Sequence, residues 1–500
     1  MADTATLQSK KSKAKVEHFD VLVVGAGISG IGAGYHLKTQ CPKKKFVILE
    51  AYETFGGTWH MHRYPGTRSD SDLYTFGYRH KPWVGPPIAS REEILKYIDE
   101  VIRENDLGDH IRYRHKIKSA SWSSAKKKWT VKAEQLETGE ILTFTAKFLW
   151  MCQGYYHHAE GYTPEWAGMD KFRGQIVHPQ TWPEDMDLTG KRVICIGSGA
   201  TAATVVPAIA GQCEHVTLLQ RSPTYFIPAR NENLLADELR MLGVDEHWIH
   251  EIVRRKYLFE QAEFTRRSFE DAEALRNELL EGVKACLPEG FDVSHFTPAY
   301  RPWQQRVAFV PEADLFAGIT AGKASVVTDQ IDRFTEKGIL LKSGRELEAD
   351  VIITATGFNL SVLGGIPFEV DGKKIDWADT ITYRGMMFTG VPNLVWVFGY
   401  FRASWTLRVD ILGDFVVRLL KHMDSKGAKQ VEVALRPQDH NMAVLPWMDP
   451  DNFNPGYLMR SMDKMPKRGS NAEWQHTQDY WKEKDDIPKI DLDAPEFRYS

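Results

Sequence analysis

Two glycine motifs, each between a short apolar run and a stretch compatible with a helix, limit most strongly how this chain can fold. The first follows the apolar run of residues 19–25 and places glycines at Gly25, Gly27 and Gly30. Glycine at this spacing allows a tight turn, a close approach of a pyrophosphate and close packing of helix on strand. The helix that begins there points the positive end of its dipole at the phosphates.

An acidic residue completes the first motif. A second apolar run, residues 45–50, ends at Glu50, twenty residues after Gly30. A carboxylate at this place accepts hydrogen bonds from both ribose hydroxyls, which suits FAD or NAD, and it repels a 2′-phosphate. The pattern therefore predicts a βαβ unit that binds a dinucleotide, and the alternative is a coincidental turn.

The second motif has the opposite charge at the corresponding place. Its candidate contacts are Gly197, Gly199, Thr201 and Ala202. Nineteen residues after Ala202, the next predicted strand ends at Arg221, followed by Ser222. An arginine there can pair with a 2′-phosphate through two hydrogen bonds, so this site favours NADPH. The alternative is a surface arginine at a strand end. Two sites of opposite charge indicate that one holds a flavin and the other supplies hydride.

The chain is predicted to be an α/β protein with two Rossmann-like dinucleotide-binding domains, one for FAD and one for NADPH, and a helical insertion. Residues 229–287 lack proline and carry Leu, Glu and Arg at helical spacing, which indicates amphipathic helices. The segment beyond about Pro437 is expected to wrap the surface rather than form a core. The predicted boundaries are 1–18 for a disordered basic arm, 19–150 and 358–500 for the FAD-binding domain with its C-terminal wrap, 151–226 and 301–357 for the NADPH-binding domain, and 227–300 for the insertion.

Charge and cysteine content exclude several classes of protein. The net charge of -4 gives no overall positive potential that would attract nucleic acid. The short basic tail before residue 16 is typical of a solvated terminus. No run of about 18 apolar residues predicts a membrane-spanning helix. The five cysteines are scattered and form no C-x-x-C pair, which argues against a disulfide framework and a zinc site. No H-E-x-x-H motif occurs either, so we expect no metal. The scattered cysteines lead us to expect a reducing, cytoplasmic location.

Two further stretches are ambiguous on physical grounds alone. Gly57, Thr58 and Trp59 follow the first unit, where a glycine lets the backbone pass close to a flat ring or a pyrophosphate; the alternative is a loop with a packed tryptophan. A lone histidine among aromatic residues and prolines, such as His178, is more often a packing residue than a catalyst. The charged stretch 63–70 alone indicates no more than a solvated loop.

The stretch around His178 carries a resemblance. Phe172, Gly174, His178, Trp182 and Pro183 match F-x-G-x-x-x-H-x-x-x-W-P, and the segment resembles the fingerprint of type I Baeyer–Villiger monooxygenases, which are class B flavoproteins. Flavin-containing monooxygenases and N-hydroxylases commonly have Tyr or Phe in place of Trp182. Residues from about 18 to about 480 resemble mycobacterial members of this group, in particular at 68–72, 220–225, 354–357 and 403–407.

The resemblance implies FAD and NADPH as cofactors, O2 as oxidant and a small ketone or sulfide as substrate. It implies an ester or lactone formed through a C4a-peroxyflavin, with sulfoxidation as a further activity. The alternative is a heteroatom monooxygenase, acting on sulfur or nitrogen and including thioamides, as the main activity. A disulfide reductase would need a redox-active cysteine pair, and a non-catalytic NADPH sensor would not need the arginine and aspartate described next.

The resemblance also assigns roles to residues. Asp70 corresponds to the active-site aspartate near the cofactor, Arg306 to the catalytic arginine beside the flavin, and Arg221 to the 2′-phosphate ligand. His178 is implied to orient an inter-domain linker, and we expect hinges near 155–160 and 355–360. Gln305 stands where many relatives carry lysine, which removes one possible phosphate partner.

Overall fold

A computed structural model describes residues 16–500 of the chain. All but the last three residues of the predicted basic arm lie outside this range. The helices are α1 (Ile28–Gln40), α2 (Thr58–Met61), α3 (Leu73–Phe76), α4 (Arg91–Glu104), α5 (Ala200–Ala210), α6 (Leu234–Met241), α7 (Glu246–Glu270), α8 (Ala272–Lys284), α9 (Asp314–Thr320), α10 (Trp405–Ser425), α11 (Gly456–Met459) and α12 (Tyr480–Asp486).

Most strands are short. They are β1 (Glu17–Val24), β2 (Phe46–Leu49), β3 (Ile111–Arg112), β4 (His115–Ser123), β5 (Lys128–Gln135), β6 (Glu140–Met151), β7 (Tyr156–Gly161), β8 (Gln175–Val177), β9 (Arg192–Ile196), β10 (His215–Gln220), β11 (Phe226–Ala229), β12 (Ala308–Pro311), β13 (Ala324–Thr328), β14 (Ile331–Phe334), β15 (Gly338–Leu341), β16 (Glu346–Glu348), β17 (Val351–Thr354), β18 (Phe358–Leu360), β19 (Phe368–Val370), β20 (Lys373–Lys374), β21 (Thr382–Tyr383), β22 (Met387–Phe388), β23 (Leu394–Trp396), β24 (Val431–Val433), β25 (Val444–Leu445), β26 (Arg468–Gly469) and β27 (Phe497–Tyr499).

A nine-stranded sheet carries the first glycine motif. Its order is β20-β19-β4-β5-β6-β1-β2-β3, with β23 also paired to β6. β1 pairs in parallel with β2 and β6, so the first motif and the end of β6 lie at the same carboxyl edge. The apolar run at β1 is buried on both faces, as a central parallel strand requires. β5 and β6 are antiparallel, and β6 joins this hairpin to the parallel strands of the same sheet.

A second sheet carries the second glycine motif. Its five strands run parallel in the order β13-β10-β9-β17-β8. β9, α5 and β10 form the predicted second βαβ unit, and α5 packs against the sheet through apolar residues such as Val205 and Ile209. Because parallel strands present their carboxyl ends at one edge, the turn after β9 and the residue after β10 lie near each other.

The Leu-, Glu- and Arg-rich stretch forms the three helices α6, α7 and α8. α7 is the longest, and its inner face buries Ile249 and Val253. Arg254 on this face is buried and donates to the carbonyl oxygens of Tyr74 and Gly77, 2.8 and 3.0 Å away, which ties the insertion to α3.

The segment beyond about Pro437 was expected to wrap the surface, but part of it lies in the core. It contains only short elements, but Trp447 and Trp474 are completely buried and belong to the two large hydrophobic clusters around the nine-stranded sheet. The abundance of Pro, Asn and Asp marks the irregular backbone correctly, but backbone irregularity does not determine whether an aromatic side chain between those residues is exposed.

The part of the chain from residue 16 to 500 can be described for membrane-spanning helices, cysteines and metal ligands. No helix in this part of the chain is both long enough and apolar enough to cross a membrane. All five cysteines are free, and four of them are buried. Within the same range, no group of three or more His, Cys, Asp or Glu side chains could hold a metal ion.

Candidate active site

The turn after β1 accepts only glycine at two of its three positions. Gly25 has a φ of +95°, and a Cβ built on it would lie 2.9 Å from the carbonyl oxygen of Cys152. A Cβ on Gly30 would lie 1.8 Å from the carbonyl oxygen of Gly25. At Gly27, an added Cβ would come 3.5 Å from the Cα of Gly57, which has a φ of +54°. Two glycine backbones therefore face each other beside the start of α1.

Glu50 is held against this turn. Its carboxylate is buried and accepts hydrogen bonds from the backbone amides of Ala26, at 2.7 Å, and Tyr52, at 2.9 Å. Burial raises the pKa of Glu50, and the backbone hydrogen bonds only partly oppose that rise. The carboxylate is therefore fixed at the end of β2, next to the turn, as the sequence predicts for a ribose ligand.

Two neighbouring features are consistent with a flat ligand at this edge. Thr58 and Trp59 begin α2 directly after Gly57, and the Trp59 ring packs edge-on against Phe76 at a centroid distance of 5.8 Å. Gln153 follows the end of β6 beside Gly25. Both polar atoms of its side chain are buried and have no hydrogen-bond partner within residues 16–500. A buried amide without partners costs free energy unless a ligand satisfies it, so this position fits a bound polar group.

In the second glycine turn, Gly197 has no room for a side chain, whereas Gly199 faces free space. Gly197 has a φ of +139°, and a Cβ there would lie 2.3 Å from the carbonyl oxygen of Ala355. At Gly199, an added Cβ would meet nothing within 4 Å, which leaves space above the start of α5. Thr201 and the buried Ala202 lie in the first turn of that helix. This is the arrangement in which a helix N-terminus accepts a pyrophosphate.

Arg221 and Ser222 lie exposed directly after β10. They are therefore at the same edge of the second sheet as the glycine turn, and the arginine is accessible to a ligand there. The geometry fits NADPH at this turn, with a cation where the first site has the carboxylate of Glu50.

Arg306 and Asp70 form a bidentate ion pair although 236 residues separate them. Nε of Arg306 lies 2.6 Å from Oδ2 of Asp70, and Nη2 lies 2.7 Å from Oδ1. The remaining nitrogen, Nη1, donates to the carbonyl oxygen of Phe401 at 3.2 Å. Burial lowers the pKa of Arg306, but its charge interaction and hydrogen bonds with Asp70 outweigh this and raise the pKa overall. The guanidinium is therefore permanently charged and held in one plane.

Sequence reasoning missed a cluster of tyrosines beside this pair. Tyr155 donates from its hydroxyl to that of Tyr156 at 2.9 Å, and the ring of Tyr156 lies 6.5 Å from that of Tyr457. Burial raises the pKa of all three phenols, while the positive charge of Arg306 lowers it. The signal was available, because Tyr155 and Tyr156 come just after a strand that ends at the predicted flavin edge.

Trp405 connects this cluster to the first glycine turn. Its ring stacks on that of Tyr155 at a centroid distance of 5.2 Å, and its Nε1 donates to Oγ of Ser29 at 2.8 Å. Ser29 lies inside the first glycine motif. The structure thus brings the flavin-type turn, the tyrosines and the Arg306–Asp70 pair to one region.

The predicted fingerprint residues lie elsewhere. His178 donates from Nε2 to the carbonyl oxygen of Gly357 at 3.1 Å, while its Nδ1 accepts from the amide of Gln180 at 3.1 Å. Burial lowers the pKa of His178, which favours this neutral form. A Cβ on Gly161 would overlap the imidazole. His178 therefore contacts both β7 and the start of β18, the two antiparallel segments that cross between the sheets.

The other fingerprint residues are packing positions. Phe172 is buried against Phe334, at a centroid distance of 6.4 Å, and Trp182 packs half-buried on the cluster around α5. A Cβ on Gly174 would lie 2.3 Å from the carbonyl oxygen of Asp350. None of the fingerprint side chains is hydrogen-bonded to Arg306 or Asp70 within residues 16–500.

Two sheets, each with a glycine turn and a charged residue at the carboxyl edge of its parallel strands, define a flavoprotein with two dinucleotide sites. Comparison with known families agrees. Residues 23–82 match the NAD(P)-binding Rossmann-like domain, and residues 84–242 match the flavin-binding monooxygenase-like family.

Known proteins narrow the class further. The chain is 46% identical over 467 residues to the FAD-containing monooxygenase EthA of Mycobacterium tuberculosis, covering 93% of this chain and 94% of that protein. It is 47% identical to the EthA of Mycolicibacterium smegmatis, with the same coverage, and 43% identical to a probable FAD-binding monooxygenase, AlmA, of Acinetobacter sp., over 92% of both chains. The chain therefore belongs to the FAD-containing monooxygenases, and the predicted mycobacterial resemblance is confirmed.

Solved structures give the same fold. An oxidized steroid monooxygenase bound to NADP superposes with a TM-score of 0.75 at 23% identity, covering 96% of this chain and 99% of that one. A cyclohexanone monooxygenase with bound ε-caprolactone gives 0.72 at 19% identity, covering 97% and 100%. The predicted α/β class with two dinucleotide-binding domains, the cofactors FAD and NADPH, and the assignment as a flavin-dependent monooxygenase are all confirmed.

Proposed function

We propose that this monooxygenase carries out Baeyer–Villiger oxidation, inserting one oxygen atom of O2 into small ketones to give esters or lactones, and that it also oxygenates sulfides. The observation that carries the proposal is the bidentate pair of Arg306 and Asp70, fixed beside the first glycine turn. A cyclohexanone monooxygenase of the same fold has been solved with ε-caprolactone, a lactone, and this supports lactone formation as the reaction class.

The two turns divide the cofactors between them. Gly25, Gly27 and Gly30 would receive the pyrophosphate of FAD, and Glu50 its ribose; the unpaired amide of Gln153 would satisfy a polar atom of the same ligand. At the second turn, Gly199 leaves room for the pyrophosphate of NADPH, and Arg221 would pair with the 2′-phosphate. When bound and reduced by NADPH, FAD supplies the activated oxygen.

Arg306 supplies a fixed positive charge. Its side chain is 33% exposed, so the guanidinium is accessible to a substrate while Asp70 and the Phe401 carbonyl hold its orientation. A cation already aligned where negative charge develops on a carbonyl oxygen stabilises that charge without reorganisation. Asp70 is a positioning residue, because its carboxylate binds Nε and Nη2 of Arg306 while the carbonyl oxygen of Phe401 accepts from Nη1.

The tyrosines and Trp405 enclose the site. Their aromatic rings line the region between Arg306 and the first glycine turn, and apolar walls strengthen the field of the guanidinium. Because burial raises the pKa of Tyr155, Tyr156 and Tyr457, these phenols remain protonated and can donate to a substrate oxygen.

The same phenols favour a second candidate, oxygenation of sulfur or nitrogen as the main activity. Protonated hydroxyls near the oxygen to be transferred make it more electrophilic, and soft nucleophiles such as sulfides and thioamides then react in preference to ketones. The EthA relatives, which are 46–47% identical, are FAD-containing monooxygenases, a class that is compatible with either reaction.

A paired assay distinguishes the two candidates. The FAD-loaded protein is given NADPH and O2 with one cyclic ketone or one thioether, and the lactone and sulfoxide are quantified by mass spectrometry. Lactone as the faster product supports the proposal, and sulfoxide alone supports the second candidate.

Substitution of Arg306 tests the mechanism. We expect Arg306→Ala to bind FAD and oxidise NADPH but to form product about 10²–10³-fold more slowly, the typical cost of losing an aligned charged donor. Arg345→Ala, an exposed arginine on a distant loop, is the control and should keep full activity. Undiminished product formation by Arg306→Ala would remove the basis of the proposal.

A further inference from the structure

Arg301 and Arg402 lie side by side near Arg306, and the reaction described above uses neither of them. Nη2 of Arg301 donates to the carbonyl oxygen of Asn452 at 2.9 Å, and Nη2 of Arg402 donates to the same oxygen at 2.6 Å. Because both hydrogen bonds end at one oxygen atom, the two guanidinium groups are neighbours. We call them the arginine pair.

No carboxylate is bonded to this double positive charge. Every hydrogen bond that either side chain donates within residues 16–500 ends at a backbone carbonyl oxygen or at the amide oxygen of Asn452. Burial and the charge of Arg301 lower the pKa of Arg402 to about 10, and Asp479 opposes this only in part. Burial also lowers the pKa of Arg301. Two adjacent cations without a counter-ion cost free energy, and a bound anion would reduce that cost.

Aromatic rings orient the two guanidinium groups. Cζ of Arg301 lies 4.1 Å and Cζ of Arg402 lies 5.2 Å from the centre of the Phe269 ring, which is 49% exposed in the last turn of α7. Arg402 also lies over Phe453, at 5.5 Å. A ring that covers the face of a guanidinium leaves the N–H donors at its edge available. Nε of Arg301 and Nη1 of Arg402 donate to no atom of residues 16–500, so they remain for a ligand.

Two short segments of chain connect the arginine pair to Arg306. Arg402 directly follows Phe401, whose carbonyl oxygen accepts from Nη1 of Arg306 at 3.2 Å. Nε of Arg402 donates at 3.3 Å to the carbonyl oxygen of Trp303, in the segment that leads from Arg301 to Arg306. Consecutive Cα atoms lie about 3.8 Å apart, so the pair and Arg306 are separated by on the order of 10 Å. One extended ligand is long enough to contact both.

We propose that the arginine pair binds a carboxylate of the substrate, so that the preferred substrates are oxo acids with the ketone beside Arg306 and the carboxylate at the pair. The inference rests on the proposed oxidation of ketones and specifies which ketones are used. A carboxylate accepts two parallel hydrogen bonds from the edge of a guanidinium. The carboxylate does not react: the oxo acid, O2, NADPH and a proton give an ester that retains the carboxylate, together with NADP⁺ and water.

A phosphate of NADPH would use the same chemistry. Two observations favour the substrate. Arg402 follows Phe401 and so lies near Arg306, whereas the 2′-phosphate is assigned to Arg221 at the edge of the second sheet. In addition, Phe269 and Phe453 flank the pair, and their rings suit the apolar chain of an alkyl carboxylate.

Paired kinetics test the site in the full-length, FAD-loaded protein. The probes are an oxodecanoate with its ketone and carboxylate at opposite ends, and the methyl ester of the same acid, which carries no charge. We expect the wild type to have a kcat/KM for the acid at least about tenfold above that for the ester. Arg402→Gln should lower this acid-to-ester ratio about 10–100-fold, the effect of losing a charge-assisted hydrogen bond. Because the readout is a ratio, a general loss of activity cancels.

Three further variants complete the kinetic test. Arg301→Gln, at a half-buried position, should lower the ratio as well, and it replaces Arg402→Gln if that variant does not fold. Arg402→Lys keeps the charge and should recover part of the ratio. Arg468→Gln is the matched control, since Arg468 also donates to a backbone carbonyl oxygen, at 2.9 Å, and it should leave the ratio unchanged.

Binding of decanoate separates this inference from the proposed reaction. Decanoate has the carboxylate but no ketone, so its Kd, measured by isothermal titration calorimetry, needs no turnover. We expect Arg402→Gln and Arg301→Gln each to raise this Kd about 10–100-fold. If neither oxodecanoate probe is oxidised but decanoate binds in this way, the proposed ketone oxidation is wrong and the anion site is supported.

Three results would overturn the proposal. The first is an acid-to-ester ratio that is the same in the wild type, Arg301→Gln and Arg402→Gln. The second is a decanoate Kd that neither substitution changes. The third is a KM for NADPH that rises in Arg402→Gln while the KM for NADH stays constant, which would assign the arginine pair to the 2′-phosphate of the nucleotide.

Discussion

At the scale of single residues, we propose that the charge after the second strand of each βαβ unit decides which dinucleotide binds. Arg221 is exposed after β10, where the corresponding residue of the first unit, Glu50, is a buried carboxylate. We expect Arg221→Ala to raise the KM for NADPH about 10–100-fold, the effect of losing a charge-assisted pair, and to leave the KM for NADH unchanged. Steady-state kinetics with both nucleotides measures this, and a parallel rise in both KM values would refute the assignment.

Asp72 gives a pH-dependent stability that can be measured separately from activity. Burial raises the pKa of its carboxyl to about 6, compared with about 3.9 in an unfolded chain. Between these values the folded protein holds the proton more tightly than the unfolded chain, so this group lowers stability as the pH rises from about 4 to about 6. Above pH 6 the full cost of the buried charge applies.

Replacing Asp72 by Asn should remove this dependence. The amide keeps the N-cap bond to the Thr75 amide, and Gln261, whose Oε1 is buried without a partner, can turn to accept from it. We expect Asp72→Asn to gain stability relative to wild type between pH 4 and pH 7, by on the order of 1–3 kcal/mol, as measured by thermal unfolding across that range. Asp245→Asn, at the exposed N-cap of α7, is the control for replacing a capping carboxylate that is not buried.

Some residues of the site could be found from sequence and others could not. The glycines, Glu50 and Arg221 are readable because a βαβ unit fixes their spacing within about thirty residues. Asp70 and Arg306 have no such local rule, since 236 residues separate the partners, and only the family resemblance pointed to them. Gln153 was missed because its signal, an amide with no partner, exists only once the chain has folded.

At the scale of elements, the glycines at the two ends of α5 allow the needs of the fold and of ligand binding to be tested separately. An added Cβ at Gly199, before the first turn of α5, meets nothing within 4 Å, and the same is true of Gly211 at the other end of the helix. We expect Gly199→Ala to keep the wild-type Tm but to raise the KM for NADPH at least about tenfold, because a methyl group would occupy the place of the pyrophosphate. Gly211→Ala is the matched control and should change neither quantity. A fall in Tm for Gly199→Ala would show that the glycine serves the fold.

The element order itself followed from periodicity and turn chemistry. The predicted strand at 19–25 corresponds to β1. Apolar residues at helical spacing and the capping box of Ser90 and Glu93 mark α4 in the sequence. The course of β6 could not be predicted, because it pairs with β5 in one direction and with β1 in the other, and pairing partners leave no local signal. The buried C-terminal tryptophans were missed for a similar reason, since burial depends on distant neighbours.

At the scale of the whole molecule, polar bridges join the segment 63–91 to the second sheet and its insertion. Arg68 forms a bidentate pair with Asp314 at the start of α9, and Arg63 contacts Glu184 at 2.9 Å. Asn231, just before α6, accepts from the amide of Ile88 and donates to its carbonyl oxygen, both at 2.8 Å. These bridges hold the two dinucleotide units in the relative placement seen here.

Asn231 is the bridge whose loss should be most costly. Ile88 is 5% exposed, so Asn231→Ala would leave a buried amide and a buried carbonyl without partners, at about 1–3 kcal/mol each. We expect the variant to lose on the order of 2–4 kcal/mol, measured by chemical denaturation. Because the lost bonds join the segment 63–91 to the insertion, we also expect calorimetry to show one unfolding transition for the wild type and two for the variant. Asn105→Ala, which removes only a local bond to the carbonyl oxygen of Val101 at the end of α4, should lower the Tm less and keep one transition. Equal effects of the two substitutions would mean that the Asn231 bridge does not couple the units.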